Sequence, residues 1–146
     1  MTLKKRVLSV DYGDSRTGLA LSDPSGLLAQ GIGCLHEKGM RTTAKLVAQT
    51  AKDKEAGKIV VGLPINMDGS EGFRAEKVRA FAALLGEETD LPIVFYDERL
   101  STMQAHRIMN FTETFGKKRK ENVDTLSAQI ILQDYLDANR GKEDKT

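Results

Sequence analysis

Residues 6–23 read RVLSVDYGDSRTGLALSD, and the pattern of this stretch decides the fold. Arg6 to Asp11 is a short apolar run that stops at a carboxylate and is followed by Tyr12-Gly13, which suits a central strand running into a turn. Thr17 to Asp23 reads as a second strand. The turn-forming Asp23-Pro24-Ser25-Gly26 then leads into a third at Leu28 to Leu35. The three strands are expected as an antiparallel meander, with Asp11 at the carboxyl end of the first.

Beyond Leu35 the period changes. Met40 to Glu55 sets Ala44, Val47, Ala48 and Ala51 at three- and four-residue spacing, with Gly57 as the expected stop, and predicts a crossover helix. Lys58 to Gly62 (KIVVG) is a compact buried-strand run, and Pro64 to Gly72 (PINMDGSEG) has the chemistry of a flexible loop near the active edge of the sheet. Arg74 to Leu85 returns to helical spacing through Val78, Phe81, Ala82 and Leu85, and Ile93 to Tyr96 (IVFY) is a fifth strand that ends directly in Asp97-Glu98. Ser101 can cap a helix running to about Asn110. Thr112 to Asn122 is expected as a mobile loop, and Val123 to about Ala138 as the last helix.

A meander followed by strand–helix alternation predicts an α/β architecture, a mixed five-stranded sheet flanked by helices. Residues 1–140 are expected to form one domain, with 141–146 a polar tail. In open sheets ligands gather at the carboxyl ends of parallel strands, where Asp11 and Asp97-Glu98 both fall.

Composition narrows the function classes. A chain of 146 residues with 40% hydrophobic and 29% charged residues is ordinary for a soluble protein. A formal net charge of +1 excludes holding nucleic acid by the overall field, so any polyanion contact must be a local basic patch. The start has no signal-peptide pattern and no stretch approaches the roughly 20 apolar residues of a membrane span, so a cytoplasmic protein with no membrane partner is expected. The single Cys34 cannot form an internal disulfide and is expected as a buried structural thiol in a strand. His36 and His106 have no partner at metal-ligand spacing.

Three acidic positions carry the chemistry. In the last helix Asp124, Ala128, Ile131 and Tyr135 fall at i, i+4, i+7 and i+11, so Asp124 shares a face with apolar side chains. A carboxylate facing the interior is costly unless it is paired or bound to a metal; the plain alternative is an Asp favoured by the dipole at a helix N-terminus. If the strand continues through Asp97 and Glu98, the two point to opposite faces, and parity alone does not choose between them. If the fold joins Asp11, one of that pair and Asp124, the result is an all-oxygen site for Mg²⁺ or Mn²⁺, the hard cations of phosphodiester hydrolysis. The segment Asp11 to Gly18 (DYGDSRTG) lets backbone and the planar fork of Arg16 approach a phosphate, without the ending of a Walker A loop. Lys117-Lys118-Arg119-Lys120 immediately precede Asp124, where they could hold a phosphate of the substrate.

Val10 to Asp23 (VDYGDSRTGLALSD), Ile59 to Gly72 (IVVGLPINMDGSEG), Asp97 to Thr102 (DERLST) and Val123 to Leu136 (VDTLSAQIILQDYL) resemble the successive motifs of the YqgF family, also called RuvX. The resemblance covers nearly the whole chain, in order and with natural spacing. It implies a ribonuclease H-like fold, kinship to the Holliday junction resolvase RuvC, and a nuclease processing the 5′ end of pre-16S rRNA. It also implies Asp11, Glu98 and Asp124 as the catalytic and metal-holding acids, with Asp97 a second candidate, and Arg16, Arg99 and Lys117 to Lys120 as phosphate contacts.

The leading expectation is therefore a Mg²⁺- or Mn²⁺-dependent nuclease acting on structured RNA as a monomer or weak dimer. Its rivals are cleavage of branched DNA, which ideally needs a symmetric dimer to cut two strands, and a non-catalytic nucleic-acid binding module. An ATP-handling fragment of the actin and sugar-kinase type is disfavoured by length.

Overall fold

The strand that ends in Asp11 is buried on both faces because it lies in the middle of the sheet. The computed structural model describes residues 5–100 and 117–140, with side chains for 5–99 and 125–140. β1 (Arg6–Asp11), β2 (Thr17–Ser22) and β3 (Ala29–Leu35) form the expected antiparallel meander. α1 (Met40–Asp53) crosses to β4 (Ala56–Leu63), which pairs parallel to β1, and α2 (Phe73–Glu88) crosses to β5 (Ile93–Asp97), parallel to β4. The sheet order is β3-β2-β1-β4-β5; a 3₁₀ turn follows at Glu98–Leu100, and α3 (Lys117–Ala138) is the last helix.

Strand alternation divides the core in two. Leu8, Val10, Ile59, Val61 and Leu63 pack on one face against Ala44, Val47 and Ala51 of α1 and Val78, Phe81 and Leu85 of α2. Val7, Ala20 and Val60 pack on the other against Ala128, Ile131, Leu132, Tyr135 and Leu136 of α3. β1 and β4 thus read as near-continuous apolar runs because helices cover both of their faces.

α3 is fastened to the sheet by polar pins as well as apolar area. The buried Ser9 hydroxyl donates to the Ala128 carbonyl at 2.6 Å. The Gln133 side chain accepts from the Ala29 N–H at 2.9 Å and donates to the Leu27 carbonyl at 3.0 Å, so the helix satisfies backbone groups at the start of β3. Gly31 in β3 admits Thr125, whose Cγ2 lies 2.5 Å from the place a Cβ would take.

Several local expectations change. α1 stops at Asp53, and the left-handed residue that turns the chain is Glu55 at φ 58° rather than Gly57. Gly57 belongs to β4, where a Cβ would come 2.6 Å from that of Lys5. Cys34 is half-exposed rather than buried, because β3 is an edge strand. The loop after β4 carries turn hydrogen bonds of its own: Asp68 Oδ1 accepts from the Ser70 N–H and hydroxyl, and Asn66 N–H donates to the Ser70 carbonyl. α3 begins at Lys117, not Val123, so Lys117 to Lys120 are helical; the run from Lys117 to Asn122 has good helix formers and neither Gly nor Pro to stop it. The helix expected over 101–110 lies outside the described residues. Among the described residues no helix is long and apolar enough to cross a membrane.

Candidate active site

Asp11 is the last residue of β1 and shares the parity of Val7 and Ser9, which places it on the α3 face of the sheet, 9% exposed. Val10 pairs with Val61, so Asp11 stands level with Gly62 on the adjacent strand, about 4.8 Å away in the hydrogen-bonding direction. Gly62 faces α3 as Val60 does, and it has no side chain to fill the space above it. Glu98 uses that space: its Oε2 lies 3.2 Å from the place a Gly62 Cβ would occupy, and Ile131 Cδ1 lies 2.6 Å from the same place. Asp11 and Glu98 therefore come to one face and one end of the sheet, from the carboxyl ends of the two parallel strands that flank β4.

Asp97 behaves differently. Its Oδ2 accepts from Arg99 Nε at 3.0 Å and Nη2 at 2.8 Å, and its Oδ1 accepts from the Arg99 N–H at 2.9 Å. The hydrogen bonds from the Arg99 side chain hold the Asp97 carboxyl below its ordinary range. Asp97 is thus a cap on the 3₁₀ turn that carries Glu98, and the Arg99 guanidinium, which the family resemblance implies as a phosphate contact, is engaged by Asp97. Arg99 Nη1 also lies 3.7 Å from the Cβ position of Gly69, beside the loop that follows β4.

Asp124 lies in α3 one turn before Ala128, whose carbonyl takes the Ser9 hydroxyl. Its side chain and those of Lys117 to Lys120 lie outside the described residues. The inward stripe predicted with it is observed, since Ala128 and Ile131 are fully buried and Tyr135 nearly so. Arg16 stands half-buried in the β1–β2 turn, where a Cβ on Gly13 would collide with the Arg16 carbonyl oxygen. Among the described residues no three His, Cys, Asp or Glu lie close enough to hold a metal ion. The described part of the site offers two carboxylates, an all-oxygen donor set that suits a hard divalent cation.

Sequence reasoning missed Gly62 and Ser9. A glycine that ends the KIVVG run is the signal that could have found the first, because glycine inside a strand marks a close approach by another group. Nothing local distinguishes Ser9, whose partner is 119 residues away.

Comparisons with known proteins place the chain in a family and a fold. The sequence model of a family described as "RuvX: Holliday junction resolvase" matches residues 5–138. A protein of Caldanaerobacter subterraneus subsp. tengcongensis named "Putative pre-16S rRNA nuclease" is 43% identical over 92% of this chain and 98% of its own length. One of Koribacter versatilis with the same name is 42% identical over 90% of this chain and 86% of its own. Among solved structures, Thermus thermophilus RuvC in complex with a Holliday junction substrate superposes with a TM-score of 0.61 at 14% identity, covering 94% of this chain and 97% of that one. That likeness shows the fold, which is ribonuclease H-like.

Proposed function

This chain belongs to the RuvX family, and from that premise we propose that it is a divalent-metal-dependent nuclease whose substrate is structured RNA, with the 5′ end of pre-16S rRNA favoured. The observation that carries the reading is the Glu98 carboxylate lying over Gly62, level with Asp11 on the next strand. Two carboxylates brought to one end of one sheet face form an all-oxygen donor set of the kind a hard divalent cation binds. The names of the relatives supply the substrate class.

Asp11, Glu98 and Asp124 would hold one or two Mg²⁺ or Mn²⁺ ions, Asp124 entering from the helix that Ser9 fixes over β1. When bound, such ions stabilise the charge that develops on the scissile phosphate and provide a nucleophile at neutral pH. The protein supplies orientation: Asp97 and Arg99 hold the turn that aims Glu98, and Arg16 with Lys117 to Lys120 takes substrate phosphates. No covalent protein nucleophile is needed.

The description of the family as Holliday junction resolvases favours a second reading, cleavage of branched DNA by the same acids. The test of both is incubation of wild type and Asp11→Asn with pre-16S rRNA and with a four-way DNA junction, in Mg²⁺ and in Mn²⁺. Metal-stimulated cutting of the RNA that disappears in Asp11→Asn is the expected result. Cutting of the junction alone moves the assignment to DNA, and undiminished cutting by the variant rejects the site.

A further inference from the structure

Phe73, the first residue of α2, is 70% exposed. It lies off the apolar stripe of its helix, which is formed by Ala75, Val78, Phe81, Ala82 and Leu85, so packing against the sheet does not explain it. The ring is nevertheless held in place. Lys77 Nζ stands 4.6 Å from its centroid and also pairs at 2.8 Å with Asp14 Oδ2, in the turn that follows Asp11. Because α2 follows β4, its first turn sits at the carboxyl end of the sheet, the end that carries Asp11 and Glu98. A shallow cavity of about 160 Å³ lies alongside, lined by Tyr12, Gly13, Asp14, Arg74, Lys77 and Val78.

An aromatic ring backed by an ammonium and bordered by an exposed arginine is what binds a nucleic acid strand without reading its sequence: the ring stacks a base and the cations take phosphates. We propose that Phe73 is a stacking platform for an unpaired nucleobase of the substrate, with Arg74 on the adjoining phosphate. The identity of the ligand rests on the nuclease reading above. Lys77 has a positioning role, since its bridge to Asp14 ties the platform to the β1–β2 turn and so to the strand that ends in Asp11. The substrate class sharpens accordingly: the strand entering this site is single-stranded where it passes α2.

The chain contains no tryptophan, so Phe73→Trp installs a lone fluorophore at the platform. Leu28→Trp places one at an equally exposed position, 64% exposed, in the β2–β3 turn at the opposite end of the sheet. Both are made in the Asp11→Asn background to keep the ligand intact and titrated with single-stranded RNA and DNA of about ten nucleotides and with the matching duplexes. The expected result is quenching of Phe73→Trp by single strands and not by duplexes, no quenching of Leu28→Trp, and about tenfold weaker single-strand binding by Phe73→Ala that Phe73→Leu does not restore. Unchanged fluorescence at saturation, or equal affinities of Phe73→Ala and the parent, overturns the proposal. Quenching without metal-stimulated cleavage by the wild type keeps the platform and retires the nuclease, whereas cleavage lost in Asp11→Asn without quenching does the reverse.

Discussion

The Ser9 hydroxyl donates to the carbonyl oxygen of Ala128 at 2.6 Å, joining the central strand to a helix 119 residues later. The direction of α3 gives this bond its consequence. Lys58 Nζ donates to the Tyr135 hydroxyl at 2.9 Å, and Ile131 lies over Gly62, so residue numbers in the helix fall toward the carboxyl ends of the parallel strands. Four residues before Ala128, about 6 Å further along the axis, is Asp124. Two residues beyond Ser9 on the same face, about 6.6 Å further along the strand, is Asp11. The hydroxyl is therefore one of the contacts that fix the register of α3 along the strand that ends in Asp11.

Ser9→Ala is expected to cost about 0.5–1.5 kcal/mol of stability, the usual worth of one buried hydrogen bond. Urea unfolding measures it. Metal-stimulated cleavage should fall by more than the unfolded fraction explains, because the helix loses its register pin. Equal activity at equal folded fraction would show that apolar contacts alone place α3.

Gly62→Ala tests the space above β4. The new methyl would lie 2.6 Å from Ile131 Cδ1 and 3.2 Å from Glu98 Oε2. Both neighbours are ends of flexible side chains, so the fold should survive with an overpacking cost of about 1–3 kcal/mol while Glu98 is pushed aside. The expected signature is a large fall in kcat with a modest fall in Tm, partly relieved by adding Ile131→Val. A variant with full kcat would mean that Glu98 does not act from this position.

How far these relationships could be read from the chain depends on their range. RVLSVD and KIVVG announce buried strands because burial on two faces writes an unbroken apolar run, and Ala128, Ile131 and Tyr135 announce a buried helix face through their spacing. Asp11 was legible for the same reason, as the carboxylate that closes such a run. That Glu98 rather than Asp97 lies over Gly62 was not, because the strand ends at Asp97 and Glu98 already belongs to the 3₁₀ turn, where strand alternation gives no guide. Gly62 carried a local signal, a glycine inside a strand run, whereas Gly57 stands just past a helical pattern and so was expected as its stop. The start of α3 was missed because a run of four cations reads as solvated loop, while lysine and arginine are good helix formers in their own right.

Asp97 and Glu98 should separate cleanly in a pair of isosteric variants. Glu98→Gln is expected to abolish metal-stimulated cleavage, and Asp97→Asn to reduce it while leaving metal dependence intact. The pH dependence distinguishes Asp97 further. Its folded carboxyl is held below the ordinary value, mainly by the Arg99 hydrogen bonds. A depressed carboxylate stabilises the fold fully above its unfolded pKa of about 3.9 and loses that contribution as pH falls through the lower folded value. The stability difference between wild type and Asp97→Asn should therefore be flat from about pH 6 to 8 and shrink in acid below about pH 4. A difference that grows in acid would contradict the pairing.

Metal binding should be visible without any substrate. Asp11 and Glu98 reach the α3 face of the sheet from the strands on either side of β4, and as oxygen donors they suit a hard divalent cation. The stabilities of wild type, Asp11→Asn and Glu98→Gln without divalent metal set the baseline. Mn²⁺ at 100 times its Kd should then raise wild-type stability by about 2.7 kcal/mol by mass action and leave Asp11→Asn and Glu98→Gln nearly unmoved. Thermal unfolding with and without EDTA reads both effects. If Mn²⁺ shifts the two variants as much as wild type, the cation binds elsewhere and the carboxylates over Gly62 have another role.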